Sequence, residues 1–308
     1  MANTRRGFLQ SGAALATGLI TASAQDRKAV PIQSGPEVQV PKMKFGNVEI
    51  SRLVLGTNQF YGFSHFNNIL GHAMREWYTP DLVCDVLRRS GRYGINTFNY
   101  VNLGRSKEDY QKFLDEGGTM HLVAQVLGDP VPTFKQFKPV GIYRQGEEVD
   151  KAFQNGEMDE VKDWCKKVRD LGARVGVGTH QPEVIAYVEE QGWDVDFYAG
   201  CVYKRTRTSE EWKQALNGEM LEMPQEIYLK SDPARMYKVM RQTKRQCFAF
   251  KVLAAGRIEG KGVEQAFRTA FESLKPNDGI FVGMWPYMKD EIRENAEAVH
   301  RVLTSKRT

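Results

Sequence analysis

Asn99, Gln125, Arg144, His180 and Lys251 each stand at or just beyond the end of a short apolar run, and Asn58, Tyr198 and Tyr203 occupy comparable places. Such a set can do several kinds of chemistry. An imidazole such as that of His180 titrates near neutrality and can act as a base or hold a substrate oxygen. A lysine on an apolar run is costly to bury charged, so the Lys251 amine should give up its proton easily and serve as base or as nucleophile towards a carbonyl. Amides and the Arg144 guanidinium can fix substrate oxygens without titrating. His65, His72 and Glu183 are further metal-ligand types, but no two histidines keep the i, i+4 spacing that pairs them on one helix face, and no metal is expected.

Positioning these groups requires a scaffold that brings many strand ends together, and the chain alternates in the way that builds one. Apolar runs over residues 52–57, 95–100, 121–127, 139–143, 174–179, 194–200, 247–253 and 279–284 are separated by amphipathic stretches of helical length. Those stretches cover 79–92, 106–116, 133–137, 157–171, 181–191, 232–244, 261–274 and 289–303. Thr79-Pro80-Asp81, Gln181-Pro182-Glu183 and Ser231-Asp232-Pro233 mark helix starts, and Gly172 and Gly192 mark ends. Unbroken apolar strands alternating with helices imply a parallel sheet covered on its outside, and this many units close into a single (β/α)8 TIM barrel over residues 42–308. A hairpin is expected before it, over 42–50, with Gly46-Asn47 at the turn. The long loops after the first, fourth and sixth strands leave strand C-terminal ends, where barrels build their sites. Tyr61 and His65 from the first loop, with Asn58 and Tyr203, are therefore the expected substrate contacts.

Several runs resemble the aldo-keto reductases. Residues 92–108, RYGINTFNYVNLGRSKE, are similar to that family's second strand, GINFFDTA..YG.SE. VEISRLVLGT (48–57) is similar to its first hairpin and strand, GVGT (176–179) to its GVSN, AFKVLAAGR (249–257) to its AYSPLAAGR, and Glu294-Asn295 to its EN pair. The resemblance implies the barrel fold, a nicotinamide cofactor (NADP or NAD) whose ring stacks on the aromatic at Phe250, and an adenine near Glu294 and Asn295. It also implies where acid–base chemistry would sit, and there the residues differ. Asn99 stands for the family's Asp, Gln125 for its Lys, Arg144 or Gln145 for its His, and Leu103-Gly104 fall where its Tyr belongs. Neutral amides cannot draw a phenol down from about 10 towards neutrality. After the eighth strand, where the family holds a 2′-phosphate with basic residues, this chain has MWPYM (284–288), then Lys289 and Glu291.

The N-terminal residues 1–24 read as a twin-arginine signal, with Thr4, Arg5, Arg6, Gly7, Phe8 and Leu9 matching the motif and Ala22-Ser23-Ala24 a cleavage site. Residues 25–41, with Pro31, Pro36 and Pro41, read as a flexible leader. The expectation is a protein passed through the twin-arginine translocase to the periplasm, without a membrane span. The formal net charge of +5 is modest and the basic residues are spread among acids, which argues against a nucleic-acid partner. Four cysteines in a chain that can build its own core call for no disulfide. The expected function is an enzyme of small carbonyl or sugar-like compounds with an atypical polar site. The alternatives are a non-redox lyase or isomerase using Lys251, His180 or a metal, and a barrel that binds without catalysis.

Overall fold

The computed structural model describes residues 38–219 and 226–305. The expected signal and most of the expected leader lie outside the described residues. Strands β1 (Lys42–Phe45) and β2 (Val48–Ser51) pair antiparallel, Phe45 opposite Val48, with Gly46 at φ 65° making the turn. Eight further strands follow: β3 (Leu53–Leu55), β4 (Thr97–Phe98), β5 (His121–Val126), β6 (Gly141–Arg144), β7 (Arg174–Thr179), β8 (Phe197–Cys201), β9 (Gln246–Phe250) and β10 (Gly279–Val282). They close into a barrel in chain order, β10 beside β3 and every pair parallel. The chain is a (β/α)8 barrel.

The hairpin plugs the bottom. Met43, Phe45 and Ile50 join Phe197, Phe248 and Phe281 in the barrel interior, the Phe45 ring 5.2 Å from that of Phe197. Facing glycines make room for these rings: a Cβ on Gly176 would lie 2.4 Å from Phe197 and one on Gly141 2.8 Å from Phe45. Close packing of this kind turns the interior into a core and leaves the open space at the top.

The long loops are more ordered than their composition suggests. Helices Asn68–Trp77, Gly146–Asn155 and Ser209–Ala215 form within them. Each has a local cap: Asn67 accepts from the Leu70 N–H, Gln145 from that of Glu148, and Thr208 with Glu211 makes a reciprocal capping box. The strand expected over 247–253 stops at Phe250, because Lys251 turns into the left-handed region at φ 63°. All four cysteines are free and buried. No helix among the described residues is long and apolar enough to cross a membrane.

Candidate active site at the barrel mouth

A cleft of about 500 Å³ opens at the C-terminal ends of the strands. Its floor is polar. Tyr143 points inward from β6, and its hydroxyl accepts an N–H from Asn99 Nδ2 at 2.9 Å. The hydroxyl proton has two acceptors in turn, Asn99 Oδ1 at 3.2 Å and Gln125 Oε1 at 3.1 Å. Asn99 Nδ2 also donates to the Val123 carbonyl at 3.0 Å, and Gln125 is in register with Tyr143 on the neighbouring strand, so backbone geometry sets this trio. Burial pushes the Tyr143 phenol well above its ordinary value and the Asn99 hydrogen bond only partly opposes it, so the group keeps its proton.

Beside this floor lies a chain of charges. His65 Nδ1 is 2.6 Å from Glu226, and its Nε2 is 2.9 Å from Asn58 Nδ2. With a carboxylate accepting at one nitrogen and an amide donating at the other, the imidazole is neutral and protonated on Nδ1. Glu226 also lies 2.7 Å from Arg205 and 3.5 Å from Lys251 Nζ, and it accepts from the Tyr228 hydroxyl at 2.5 Å. Burial alone would raise the Glu226 carboxyl, but His65, Lys251 and Arg205 together outweigh it and hold the group well below the usual carboxylate range. The Lys251 side chain is 8% exposed, its amine 5.8 Å from the Phe250 ring centroid. Burial lowers its pKa, against the pull of Cys201 and Glu226.

Arg205 carries the chain further. It pairs with Glu147 at 2.7 Å and approaches His180 Nε2 at 3.4 Å. His180 Nδ1 in turn faces Asp150 at 2.7 Å, and the same buried carboxylate takes the His180 backbone N–H and, at 2.5 Å, the Thr179 hydroxyl. Burial lowers the His180 pKa more than Asp150 raises it.

Of the residues expected from sequence, Asn58, His65, Asn99, Gln125, Phe250, Lys251 and Asn295 line the cleft. His180 stands behind the wall, its ring edge-on to Phe250 at 5.6 Å. Arg144 faces away, bonded to Glu148 at 3.3 Å and to the Glu160 carbonyl, because successive strand residues point to opposite sides and Tyr143 takes the inward place. Tyr61 sits under Arg105, Tyr203 is stacked on Tyr228, and Tyr198 donates to Glu189, all off the cleft. Glu294 pairs outward with Lys289 at 3.0 Å. Tyr143, Asp150, Arg205 and Glu226 were not singled out from sequence. Among the described residues no group of three or more metal-ligating His, Cys, Asp or Glu side chains comes together.

The residues present fit a nicotinamide dinucleotide in layout. Phe250 offers a ring beside the polar floor, and the turn that follows it holds Lys251, Ala254, Ala255 and Gly256 at positive φ, an irregular backbone that faces the cleft. Asn295, also on the lining, is 5% exposed. Its amide is not among the buried unsatisfied groups, so it stands open to the cleft.

No family model matches the chain, and no curated protein matches it in sequence. Among solved structures, apo Gox0644 is similar with a TM-score of 0.51 at 10% identity, over 87% of this chain and 95% of that one. A truncated 3-deoxy-D-arabino-heptulosonate 7-phosphate synthase from Thermotoga maritima is similar at 0.49 and 13% identity, over 86% and 90%. The glycerol dehydrogenase AKR11B4 from Gluconobacter oxydans is similar at 0.47 and 12% identity, over 85% and 96%. At such identities the likeness is one of fold, and function has to be argued from the site.

Proposed function

We propose that this chain is an aldo-keto-reductase-like barrel enzyme acting on a small carbonyl or sugar-like compound at the barrel mouth. One observation carries the reading: a single cleft joins the Tyr143 hydroxyl, the Phe250 ring and the Asn295 amide. Tyr143 is the proton donor in this reading. Burial keeps it protonated at neutral pH though a weaker acid than a free phenol, the Asn99 N–H fixes its oxygen, and its proton can turn from Gln125 to a substrate carbonyl oxygen, which takes the proton once hydride addition has made it the stronger base. A nicotinamide dinucleotide, when bound, supplies the hydride. The Gln125 amide and the Lys251 ammonium orient the substrate's remaining oxygens, and Phe63 with Trp285 shields them from water. The test is addition of NADH and NADPH to the purified protein. Quenching of tryptophan fluorescence, since Trp285 lines the cleft, and cofactor oxidation with a panel of aldehydes, ketones and aldoses are expected. Failure of both overturns the reading.

Lys251 favours a second reading, a non-redox lyase or isomerase. Its amine faces the cleft, is buried beside Glu226 and is made less basic by that burial, the setting in which a lysine attacks a carbonyl carbon and loses water to form an imine. Borohydride added with substrate would fix the adduct on residue 251, visible by mass.

We also propose export by the twin-arginine route, on the strength of Arg5-Arg6, the apolar run that follows and Ala22-Ser23-Ala24. Changing Arg5 and Arg6 together to Lys should hold the folded precursor in the cytoplasm. Export in a strain lacking the translocase would refute this.

A further inference from the structure

We infer that His65, held by Glu226, is a general base of the cleft: it removes a hydrogen from the carbon beside a carbonyl bound at Lys251, and the compounds it acts on are small α-hydroxy aldehydes and ketones. This rests on the reading of Lys251 as an imine-forming lysine and supplies the base for it.

Three observations place the imidazole. Glu226 Oε1 accepts from Nδ1 at 2.6 Å, which leaves the ring's lone pair on Nε2. The partner of that nitrogen is Asn58 Nδ2 at 2.9 Å, on an exposed residue that lines the same cleft, so a substrate can take its place. Arg257 donates to the His65 carbonyl at 3.3 Å, and the His65 backbone is held at φ 55°, a conformation that costs energy in any residue but glycine and is kept where the surroundings impose it. The electrophile stands on the same carboxylate. Lys251 Nζ lies 3.5 Å from Glu226 Oε2 while His65 holds Oε1, so amine and imidazole flank one group and both line the cleft. Arg205, 2.7 Å from Oε1, helps to keep that carboxylate ionised.

The Lys251 ammonium and a carbonyl lose one water and form an iminium that retains the single positive charge, the attack coming from the neutral fraction that burial enlarges. His65 Nε2 then takes the hydrogen of the neighbouring carbon as a proton. The C–H electron pair becomes the C=C bond of an enamine and the nitrogen turns neutral, so charge passes from Lys251 to His65 and none is created. Burial and then the Lys251 charge hold His65 below its ordinary value, and the second of these vanishes in the step that protonates the ring. Glu226 pairs with the imidazolium. Return of a solvent proton to the carbon completes an exchange that consumes no oxidant or reductant. Asn58, displaced from Nε2, keeps its N–H₂ beside that carbon and donates to an oxygen on it, which selects the α-hydroxyl.

The experiment follows hydrogen exchange by proton NMR on the purified full chain in deuterium oxide, with hydroxyacetone and acetone as probes and each rate taken relative to the same compound in imidazole buffer. The wild type should exchange the hydroxymethyl hydrogens of hydroxyacetone, about tenfold or more ahead of acetone. His65→Asn, which can still donate to Glu226, should lose roughly 100-fold or more. His65→Gly, unstrained at φ 55°, should lose as much and regain about tenfold with added imidazole, a rescue that a structural loss would not show. Borohydride should fix hydroxyacetone on residue 251 in the wild type and in both variants, and Tm measured on each reports the fold. An adduct without exchange, wild-type exchange in His65→Asn, no recovery of His65→Gly with imidazole, or acetone exchanging as fast overturns the inference and leaves the lysine reading standing. Absence of an adduct on the wild type overturns both.

Discussion

His65 and Glu226 meet at 2.6 Å across the barrel mouth, one from the segment after β3 and the other from the segment after β8. Arg257 ties the same two segments, donating to the His65 carbonyl at 3.3 Å and to the Glu226 carbonyl at 3.0 Å. The clasp holds His65 in the cleft lining, and its strength depends on that ring staying neutral.

That dependence has a pH signature. Burial, then the Lys251 charge, pushes His65 down to about 4, against the pull of Glu226. A histidine whose folded pKa lies below its unfolded value of ~6.5 takes up its proton more readily when unfolded, so its contribution is complete above about pH 6.5 and is lost as the pH falls towards about 4. On the order of 2 kcal/mol is involved, which in a domain of this size moves Tm by roughly 4 to 8 °C. The Tm of the wild type should fall by about that much more than the Tm of His65→Asn across this interval, asparagine being tolerant of the φ of 55° at this position. His180 is depressed as well but is common to both proteins, and Glu226 titrates below this window. Parallel Tm curves for the two proteins would refute the assignment.

Tyr143→Phe separates the floor's chemistry from its packing. The ring stays between Phe197 and Phe281, at 6.1 Å from each, while Asn99 keeps its bond to the Val123 carbonyl. Losing one hydroxyl should cost about 1 to 2 kcal/mol of stability through the acceptors left short. Loss of a positioned acid should lower kcat by roughly 10² to 10⁴. A folded variant with wild-type turnover would remove Tyr143 from the reaction.

Asp150 is a structural anchor of the wall behind the cleft. Its carboxylate accepts from the Thr179 hydroxyl, the His180 backbone N–H and His180 Nδ1. Asparagine offers one acceptor oxygen and turns an N–H₂ towards donors, so Asp150→Asn should cost roughly 2 to 5 kcal/mol, or about 5 to 15 °C in Tm. The control is Glu148→Gln, which touches only the partly exposed pair with Arg144 and should stay within about 1 kcal/mol of wild type. Equal melting of the two variants would count against the anchor.

The barrel was readable in the sequence because each parallel strand is an unbroken apolar run and because Thr79-Pro80 and Gln181-Pro182 announce the helices between them. The helix Asn68–Trp77 was not, since Gly71 interrupts it and no acid marks its first turn; it is held by a tertiary contact, Gly71 passing so close to Gly62 that a Cβ on either would lie 2.5 Å from the other's carbonyl oxygen. The site was half readable. Strand ends named Asn99, Gln125 and Lys251, but a one-residue shift on β6 put Arg144 where Tyr143 belongs, and in a strand one residue is a change of face. Asp150 had a signal, an acid beside Val149 on the buried face of its helix. Glu226 had none, because only the folded chain brings a loop carboxylate 161 residues along to His65.

Lys251 gives a test in which binding and stability should move differently. Its amine is nearly excluded from water and burial weakens its hold on the proton, so the charged form is carried at a cost to the fold. Its backbone sits at φ 63°, which methionine would share, so Lys251→Met leaves the local strain unchanged. Glu226 loses one partner but keeps His65 at 2.6 Å and Arg205 at 2.7 Å, so no carboxylate is stranded. The gain from removing a desolvated ammonium and the loss of its 3.5 Å contact with Glu226 should nearly cancel, leaving Tm within about 3 °C of wild type. In the cleft nothing replaces the ammonium, and an anionic or carbonyl ligand should lose at least tenfold in affinity, worth about 1.4 kcal/mol. Measuring melting and ligand titration on the same preparation decides the matter. A variant that melts much earlier yet binds as well as wild type would make Lys251 a structural residue and remove it from the site.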